Sequence, residues 1–417
     1  MPEFLKLIPP AEALALLLRS LPDGEVRGEW VDTVLVLGRV TRGEVRAPHP
    51  LPAFPRSSMD GYAVRAGDTF GASESIPGYL QVAGEVPMGA APAFSLQAGQ
   101  AAVIHTGGML PPSADAVIAL EQTQVARPGE IEILRAVAKG ENTILVGEDV
   151  KEGEVVIPGG TRIRPAEIGG CMALGIKHLQ VAVRPKIGII SSGDEVVPPE
   201  AEPQAGQVRD VNSYTLAARV SEAGGEPVLY GIVPDRLETM KERIGRALTE
   251  CQAVVITAGS SASARDMTAE AIGSLGEPGV LVHGVNVRPG KPTILAVCDG
   301  KAVIGLPGNP VSAMVIAGLF VLPVVKKLLG LTQERPAASC EARLSLNIAS
   351  QAGREDWIPV KLVPVSEGNG DGETWRAEPI FAKSNLIFSL AAADGLIRIP
   401  PAVTGLEAGE RVRVFLI

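Results

Sequence analysis

Apolar positions near the start of the chain recur with a helical period. The run covers residues 10–21, presents a Leu/Ala face and stops at Pro22-Asp23-Gly24. A strand-like run over residues 30–36 follows it. From residue 48 to residue 143 the pattern changes to short apolar runs between Gly/Pro turns, with no helical period. The first third of the chain therefore predicts a helix, a strand and a small all-β module.

Between residues 186 and 330 strand-like and helix-like runs alternate. The predicted strands cover residues 185–193, 227–233 and 253–257, and the predicted helices cover residues 212–223 and 236–248. This alternation predicts a parallel sheet with helices on both faces and with ligands at the carboxyl ends of its strands. From residue 334 onward short strands return, which predicts a C-terminal β-barrel.

Length and composition limit the class of protein. The 417 residues exceed the size at which a single core stops growing, about 250–300 residues, so we expect several domains. We find no stretch of about 18 apolar residues free of charges and helix breakers, and the first residues do not resemble a leader peptide. These features predict a soluble cytoplasmic protein that does not bind membranes.

Cysteines and net charge exclude further classes. Cys171, Cys251, Cys298 and Cys340 are far apart and lack the spacing of a zinc site or a redox dithiol, so we expect buried, reduced thiols. The net charge of −9 and the lack of a Lys/Arg-rich stripe argue against nucleic acid as a partner. Any anionic ligand must therefore be bound by a few nearby groups rather than by an extended positively charged surface.

Two Pro/Gly segments resemble a phosphate cradle. Residues 287–292 contain Arg288, Pro289, Gly290 and Lys291, and residues 302–312 contain Pro307, Gly308, Asn309 and Ser312. Each segment places a glycine in a proline-locked turn, and the second opens an apolar helix over residues 311–322 with Asn309 at the N-cap. Such a helix start and the two cations favour a phosphate or an oxyanion. Two ordinary proline turns remain the alternative.

Polar loops follow two of the predicted buried strands. Asp194 and Glu195 follow the first, and the loop of residues 258–266, with Gly259, Ser261, Ser263 and Asp266, follows the third. Backbone N–H groups and hydroxyls of the second loop suit a ligand, and the acids suit a divalent cation such as Mg²⁺. Alternatively, Ser263 and Asp266 only cap a helix. The combination with the cradle in one sheet favours a site.

Two more polar segments lie in the predicted β module. Asp60 stands in Ser-Met-Asp-Gly-Tyr-Ala, and Thr106 heads a Gly-Gly loop that is followed by Asp115 and Glu121. A β-turn in which Asp60 bonds its own backbone is the structural alternative.

These motifs in this order resemble the MoeA family of molybdopterin molybdenumtransferases, whose animal homologue is the E domain of gephyrin. The motifs that carry the resemblance are Ser-Met-Asp-Gly-Tyr-Ala, Thr-Gly-Gly-x-Leu-Pro-x-x-Ala-Asp-Ala-Val, Gly-Asp-Glu, Pro-Gly-Lys-Pro and Gly-Leu-Pro-Gly-Asn-Pro-Val-Ser. The resemblance runs from about residue 4 to the C-terminus. Any one of the motifs alone would be weak evidence for the family.

The resemblance implies a multidomain α/β plus β fold in an elongated homodimer. It divides the chain into a MogA-like α/β molybdopterin-binding domain of three layers with a parallel-rich sheet (residues 1–26 and 181–330), an extended linking and dimerisation domain (27–46 and 146–180), a β module that completes the partner's site (47–145), and a C-terminal β-barrel (331–417).

The resemblance also implies a reaction. The family takes adenylylated molybdopterin, inserts molybdate into the dithiolene and releases AMP with the help of Mg²⁺. By motif position it assigns catalysis to Asp60, Thr106, Glu195 and Asp266, Mg²⁺ binding to Asp149, Asp194, Glu195 and Asp266, and substrate or phosphate binding to Gly259, Ser261, Ser263, Arg288, Pro289, Gly290, Lys291, Pro307, Gly308, Asn309 and Ser312. Arg354 and Ser384 match a weaker pattern for substrate binding. A MogA-type adenylyltransferase and cofactor-accepting molybdoenzymes are the implied partners.

The chain departs from the family pattern in one loop. Where the family commonly reads Gly-Gly-Val-Ser-Val-Gly-Asp-Tyr-Asp, residues 258–266 place Ala264 and Arg265 before Asp266, and the usual threonine of Thr-Gly-Asp-Glu is Ser192. The two loop changes add two units of positive charge. We expect activity to survive with a shift toward anion binding over Mg²⁺ binding.

Two other functions fit parts of the sequence. A non-catalytic molybdopterin-binding or scaffolding protein would tolerate the lost carboxylate at Ala264, although the retained acids argue against it. A nucleotide pyrophosphohydrolase would need the same Mg²⁺ chemistry without metal insertion. Molybdate and tungstate are tetrahedral dianions of near-equal size, so both remain open as the oxyanion.

Overall fold

The computed structural model describes residues 7–258, 262–365 and 375–417. Three extended sheets, with helices around one of them, account for most of the described chain. They are called the central sheet, the module sheet and the barrel sheet.

The central sheet lies in the alternating part of the chain. Its strands, in spatial order, are Glu226–Val233, Lys186–Ser192, Ala253–Ala258, Lys301–Pro307, Ile294–Cys298 and Pro278–His283. Neighbours among the first four are parallel, as predicted. Ile294–Cys298 is antiparallel to both its neighbours. Its pairing with Lys301–Pro307 is antiparallel because the tight turn at Asp299-Gly300, with positive φ at both residues, joins the two strands directly. The sheet is thus parallel-rich rather than wholly parallel.

Helices cover both faces of the central sheet. They are Pro10–Ser20, Asn212–Ala223, Leu237–Glu250, Ala262–Gly273 and Pro310–Ile316, the last continuing through the π-helical segment Ala317–Val321 into Leu322–Leu328. Successive side chains of a strand point to opposite faces, so Val255 joins the core beneath Leu17 and Phe320 while Val254 joins the core beneath Ile244. The helices predicted over residues 10–21, 212–223 and 236–248 form close to their predicted bounds, as do the strands predicted over residues 185–193, 227–233 and 253–257. The helix Ala262–Gly273 was not predicted.

The helix after the cradle is longer than predicted. Residues Pro310–Leu328 form a stretch that is apolar and long enough to cross a membrane by length and composition, and 56% of it is buried. Ile316, Phe320 and Val324 lie in the core against the central sheet. The apolar character of this helix is accounted for by its packing in the protein core.

The module sheet lies in the segment predicted to be all-β. Its strands in spatial order are Ala116–Ala119, Gly61–Val64, Gln100–Ile104, Gly78–Glu85, Glu130–Ile133 and Thr123–Arg127. Short 3₁₀ turns lie at Ala66–Thr69 and Leu120–Gln122. The register pairs Gly61 with Ile104, which brings the residues before one strand next to those after the other.

Short strands and one helix link the module to the rest. The strands pair as Gly28–Asp32 with His178–Ala182, Val45–Arg46 with Val155–Ile157, and Arg56–Ser57 with Thr143–Ile144, and the helix is Pro165–Ala173. The predicted strand over residues 30–36 is wrong in extent, since a 3₁₀ turn, Thr33–Leu35, replaces its second half. The Thr33 hydroxyl donates to the Ile176 carbonyl at 2.8 Å at the point where the strand gives way to the 3₁₀ turn.

The barrel sheet closes on itself. Its strands in order are Glu355–Pro364, Trp375–Pro379, Ser339–Leu344, Arg411–Leu416 and Gly395–Ile399, and the last pairs again with the first. This confirms the predicted C-terminal β-barrel. Val287–Arg288 from the central domain pairs alongside Glu355–Pro364, with Arg288 opposite Asp356. The loop of residues 288–291, named the cationic loop because it carries Arg288 and Lys291, is therefore attached to the barrel by backbone pairing.

Smaller elements complete the described chain. They are the paired strands Val196–Val197 and Val208–Arg209, the paired strands Ile348–Ala349 and Gly405–Leu406, and the short helix Ile387–Ala391. The four cysteines are free thiols, with Cys340 half-buried and the others buried. Burial raises the pKa of the Cys298 thiol to about 11. The prediction of buried thiols is confirmed for three of the four cysteines and is wrong for Cys340.

Candidate functional site

A cavity of about 750 Å³ lies between the cradle and the barrel. It is named the cationic cavity and is lined by Val287, Arg288, Pro289, Gly290, Lys291, Pro292, Pro307, Asn309, Val311, Ser312, Arg354, Trp357, Ile358, Pro359, Ile380, Phe381, Ala382, Lys383, Ser384 and Ser389. The two cradle segments that the sequence singled out thus face one space, together with Arg354 and Ser384. The lining joins guanidinium and ammonium groups to an apolar and aromatic wall.

The loop of residues 288–291 is held from both sides. The Val285 N–H donates to the Lys291 carbonyl at 2.9 Å, and the Thr293 hydroxyl donates to the Gly290 carbonyl at 2.7 Å. Gly290 has φ of +120°, and a Cβ there would stand 2.4 Å from Cδ1 of Ile316. Glycine is required at this position because the loop packs directly on the following helix. The backbone that carries the exposed side chains of Arg288 and Lys291 is thereby held at the cavity wall.

The helix start uses a different cap from the one predicted. Asn309 is the N-cap residue, but its side chain makes no cap hydrogen bond to the helix backbone. The Asn309 Nδ2 group donates to Ser384 Oγ at 3.0 Å, and the Val311 N–H donates to the Ser384 carbonyl at 3.1 Å. The Ser384 carbonyl thus accepts the hydrogen bond from the first turn of the helix that an N-cap side chain at Asn309 would ordinarily accept. Ser312 is buried in the first turn of the helix.

A second cavity, of about 400 Å³, adjoins the first. It is named the polar cavity and is lined by Ser191, Ser192, Glu195, Val196, Val208, Arg209, Asp210, Val211, Asn212, Thr257, Gly308, Asn309, Pro310, Asn385 and Ile387. Asn309 lines both cavities and so marks their boundary. The polar cavity lies at the carboxyl ends of Lys186–Ser192 and Ala253–Ala258, where the sequence predicted a ligand.

Three carboxylates gather next to the polar cavity. Asp194 Oδ1 accepts a hydrogen bond from the Asp235 N–H at 3.2 Å. Burial first, and then the charges of Asp194 and Glu195, raise the pKa of Asp235 above its ordinary value. Oδ1 of Asp235 is buried and, among the described residues, has no hydrogen-bond partner. Asp235 is not among the site residues predicted from the sequence, although it follows a strand just as Asp194 does.

The donor chemistry of these acids fits Mg²⁺, which takes hard oxygen ligands. Within the described ranges no three His, Cys, Asp or Glu side chains are arranged to hold a metal ion by themselves. Mg²⁺ is usually held by one or two carboxylates and by the phosphates of the substrate, so a protein-only cage is not required. The Mg²⁺ ligands therefore stay a prediction.

Other predicted site residues lie on different elements. Asp266 is exposed and lies on the helix Ala262–Gly273, so the predicted loop over residues 258–266 is wrong from residue 262 onward. Ser263 lies in the same helix, and Gly259 and Ser261 lie outside the described residues. Asp149 is exposed in a turn whose N–H donates to the Leu51 carbonyl. It lines neither cavity.

Asp60 and Thr106 meet at one end of the module sheet. Asp60 Oδ1 accepts from the Thr106 backbone N–H at 2.7 Å and from the Thr106 hydroxyl at 3.1 Å. These bonds, the backbone one first, hold the pKa of Asp60 below its ordinary value. His105 stands beside this pair, with Nδ1 3.9 Å from Asp60 Oδ1 and Nε2 3.0 Å from Glu85 Oε1. This cluster lines neither cavity in the described chain.

Family models match the chain along almost its whole length. The MoeA N-terminal region (domain I and II) matches residues 8–175, a probable molybdopterin binding domain matches residues 188–327, and the MoeA C-terminal region (domain IV) matches residues 341–417. A molybdopterin molybdenumtransferase of Nostoc sp. is 33% identical over 395 residues, which are 94% of this chain and 89% of that protein. The chain belongs to the MoeA family.

Other MoeA-family proteins agree in sequence and in structure. A molybdopterin molybdenumtransferase of Bacillus subtilis is 31% identical over 98% of this chain and 94% of its own length. The crystal structure of a molybdopterin biosynthesis MoeA protein from Pyrococcus horikoshii OT3 covers 99% of this chain and 100% of that chain, with 34% identity and a TM-score of 0.84. The resemblance in the motifs is confirmed. The protein is an enzyme of molybdenum cofactor biosynthesis.

Proposed function

We propose that this MoeA-family chain inserts molybdate into adenylylated molybdopterin and releases AMP. The observation that carries the proposal is the pair of adjoining cavities, one cationic and one bordered by carboxylates, with Asn309 in both walls. A substrate with two halves joined by a pyrophosphate, and a free oxyanion beside it, needs such a division. Tungstate has the same charge and shape as molybdate and would enter by the same contacts.

The cationic cavity suits an oxyanion. Arg288, Lys291 and Arg354 all line it, and a tetrahedral dianion gains from charge-assisted hydrogen bonds to such groups. The apolar wall around Trp357 and Phe381 lowers the local dielectric, which strengthens those hydrogen bonds.

The polar cavity suits the phosphoanhydride. Cleavage of a phosphoanhydride requires its charge to be neutralised and a nucleophile to be aimed in line. Glu195 and Asp194, with Asp266 from the neighbouring helix, would hold Mg²⁺ together with the phosphates, and the ion would neutralise charge on the leaving AMP. The backbone around Gly308 and the Asn309 amide lie between this chemistry and the oxyanion.

Asp60 and Thr106 would act across a homodimer. Apolar side chains of the linking segments support the dimer, since Trp30 and Leu35 are 70% and 69% exposed and would be covered by a second copy. In that dimer the β module of residues 47–145 would complete the partner's site, and the domain division implied by the family would hold. A cytoplasmic enzyme of this kind would receive its substrate from a MogA-type adenylyltransferase and pass its product to molybdoenzymes.

AMP release from adenylylated molybdopterin with Mg²⁺, measured with and without molybdate, tests the proposal. We expect release that depends on molybdate, and a strong loss of it in Lys291→Ala. Lys361→Ala is the matched control, because Lys361 is also an exposed lysine but lines neither cavity. Tight substrate binding without release under either condition would reject the enzyme in favour of a binding or scaffolding protein.

A further inference from the structure

A buried carboxylate lies behind the wall of the cationic cavity. Asp356 is 0% exposed and does not itself line the cavity. Its Oδ1 accepts from Arg354 Nε at 2.7 Å, and its Oδ2 accepts from Arg354 Nη2 at 3.0 Å. This two-point pairing fixes both the position and the plane of the guanidinium. Arg354 does line the cavity, with its side chain 25% exposed.

The same carboxylate reaches the second arginine of the cavity. Arg288 Nη1 lies 3.9 Å from Asp356 Oδ2, and backbone pairing sets Arg288 opposite Asp356. Ser350 Oγ donates to Oδ2 at 3.0 Å and so holds the carboxylate from the barrel side. One buried anion thus orients a guanidinium from the barrel and faces another from the central domain.

We infer that Asp356 is a positioning residue for oxyanion binding, acting through Arg354. The inference rests on the proposed function, since it assumes that the cationic cavity takes molybdate. A positioning role and a purely electrostatic role of Asp356 predict opposite changes in anion affinity when the carboxylate is removed. Removing the negative charge of Asp356 would strengthen the field on an anion by Coulomb's law alone, whereas losing the aligned guanidinium would weaken binding.

The test is the affinity for molybdate alone, measured by calorimetry on the full-length protein, with sulfate as a competitor. Asp356→Asn should weaken molybdate binding by roughly tenfold despite the gained positive charge. The matched control is Glu355→Gln. Glu355 is also buried, at 4% exposed, is paired with Arg398 at 2.7 Å and does not line the cavity. Its other oxygen accepts from Nε1 of the cavity residue Trp357 at 2.8 Å, and glutamine keeps an oxygen acceptor for that contact. The control should change binding by less than about twofold.

A double-mutant cycle separates positioning from a general structural effect. If Asp356 acts through Arg354, then Asp356→Asn should add no further loss to Arg354→Gln. Equal losses in both backgrounds, or tighter binding in Asp356→Asn, would overturn the inference. Should Asp356→Asn not fold, Ser350→Ala removes only one hydrogen bond to the carboxylate. It should weaken binding by about two- to threefold, and only while Arg354 is present.

Failure of the inference can be told from failure of the proposed function. A wild-type protein that binds molybdate and releases AMP, with an Asp356→Asn variant that binds equally well, would overturn the positioning role alone. A wild-type protein that binds no molybdate would overturn both.

Discussion

Gly290→Ala tests the cationic loop with the smallest possible change. The substitution adds one methyl group, at a residue whose φ is +120° and whose loop packs on the helix Pro310–Ile316. The new Cβ would stand 2.4 Å from Cδ1 and 2.5 Å from Cγ1 of Ile316, closer than real Cβ atoms come. Either the loop or the Ile316 side chain must move.

The cost has two parts that can be estimated separately. A non-glycine residue at positive φ costs about 1 kcal/mol. Overpacking by one methyl group in a filled core costs about 1–3 kcal/mol, and Ile316 is fully buried, so little room exists for it to yield. The free energy of unfolding of the central domain should fall by about 3 kcal/mol, a drop of roughly 6–12 °C in its melting temperature.

Gly231→Ala in the same domain shows what an added Cβ costs at a positive φ where no close neighbour stands in its way. Gly231 has φ of +77°, and the Arg243 guanidinium, 3.9 Å away, is the neighbour that a Cβ there would meet. This control should cost only about 1 kcal/mol. Combining Gly290→Ala with Ile316→Ala should cost less than the sum of the two single variants, since the clashing atoms are gone.

Thermal unfolding of the four variants, followed by the transition of the central domain, measures these differences. Molybdate affinity should fall in Gly290→Ala, because the displaced loop carries Arg288 and Lys291. A Gly290→Ala protein as stable as Gly231→Ala, within about 0.5 kcal/mol, would refute the packing argument. So would strict additivity with Ile316→Ala.

Four further perturbations follow from the hydrogen bonds and charges of the site. Thr106→Val keeps the backbone donor but removes the hydroxyl, so the pKa of Asp60 should rise part of the way to its ordinary value in an NMR titration, and an unchanged pKa would contradict the contact. Asp235→Asn should stabilise the protein at neutral pH, because a carboxyl with a raised folded-state pKa loses stability as pH rises through that pKa, and the gain should vanish below the unfolded pKa, about 4. Asp194→Asn should lower the pKa of Asp235, and a shift in the other direction would remove the like-charge explanation. Ser384→Ala deprives the N-cap amide of its acceptor and should cost about 1 kcal/mol with weaker docking of the barrel, measured by hydrogen exchange of its short helix.

The central domain could be predicted because its signals are local. Asn212–Ala223 was predicted with the bounds that the structure shows, since its apolar period is clear and Gly224 ends it with φ of +98°. The antiparallel edge is not among the predicted elements, although Asp299-Gly300 is a two-residue turn signal between two apolar runs. Asp235 follows the strand Glu226–Val233 and could have been found by the rule that selected Asp194.

Contacts between distant segments explain what the sequence could not show. Ser384 meets Asn309 across 75 residues, and no periodicity in either segment indicates that the barrel supplies the hydrogen-bond acceptor. The sequence alone allows a turn in which Asp60 bonds its own backbone. In the structure Asp60 bonds Thr106, 46 residues away, because two strands of the module sheet pair in that register. The local sequence pattern determines where helices and strands form. The partners of individual side chains depend on how the strands pair and how the domains pack together.

Because the cationic cavity is shared, oxyanion binding and domain docking must be coupled. Arg288 and Lys291 come from the central domain, and Arg354 comes from the barrel. Backbone pairing of Val287–Arg288 with the barrel strand Glu355–Pro364 joins the two sides. An anion that binds only the docked arrangement stabilises that arrangement by RT ln(1 + [L]/Kd), about 2.7 kcal/mol at roughly one hundred times Kd. Molybdate should therefore slow hydrogen exchange at the paired strands Val287–Arg288 and Glu355–Pro364 more than in the module sheet. Equal slowing of exchange in both places would show that the cavity does not depend on docking of the barrel.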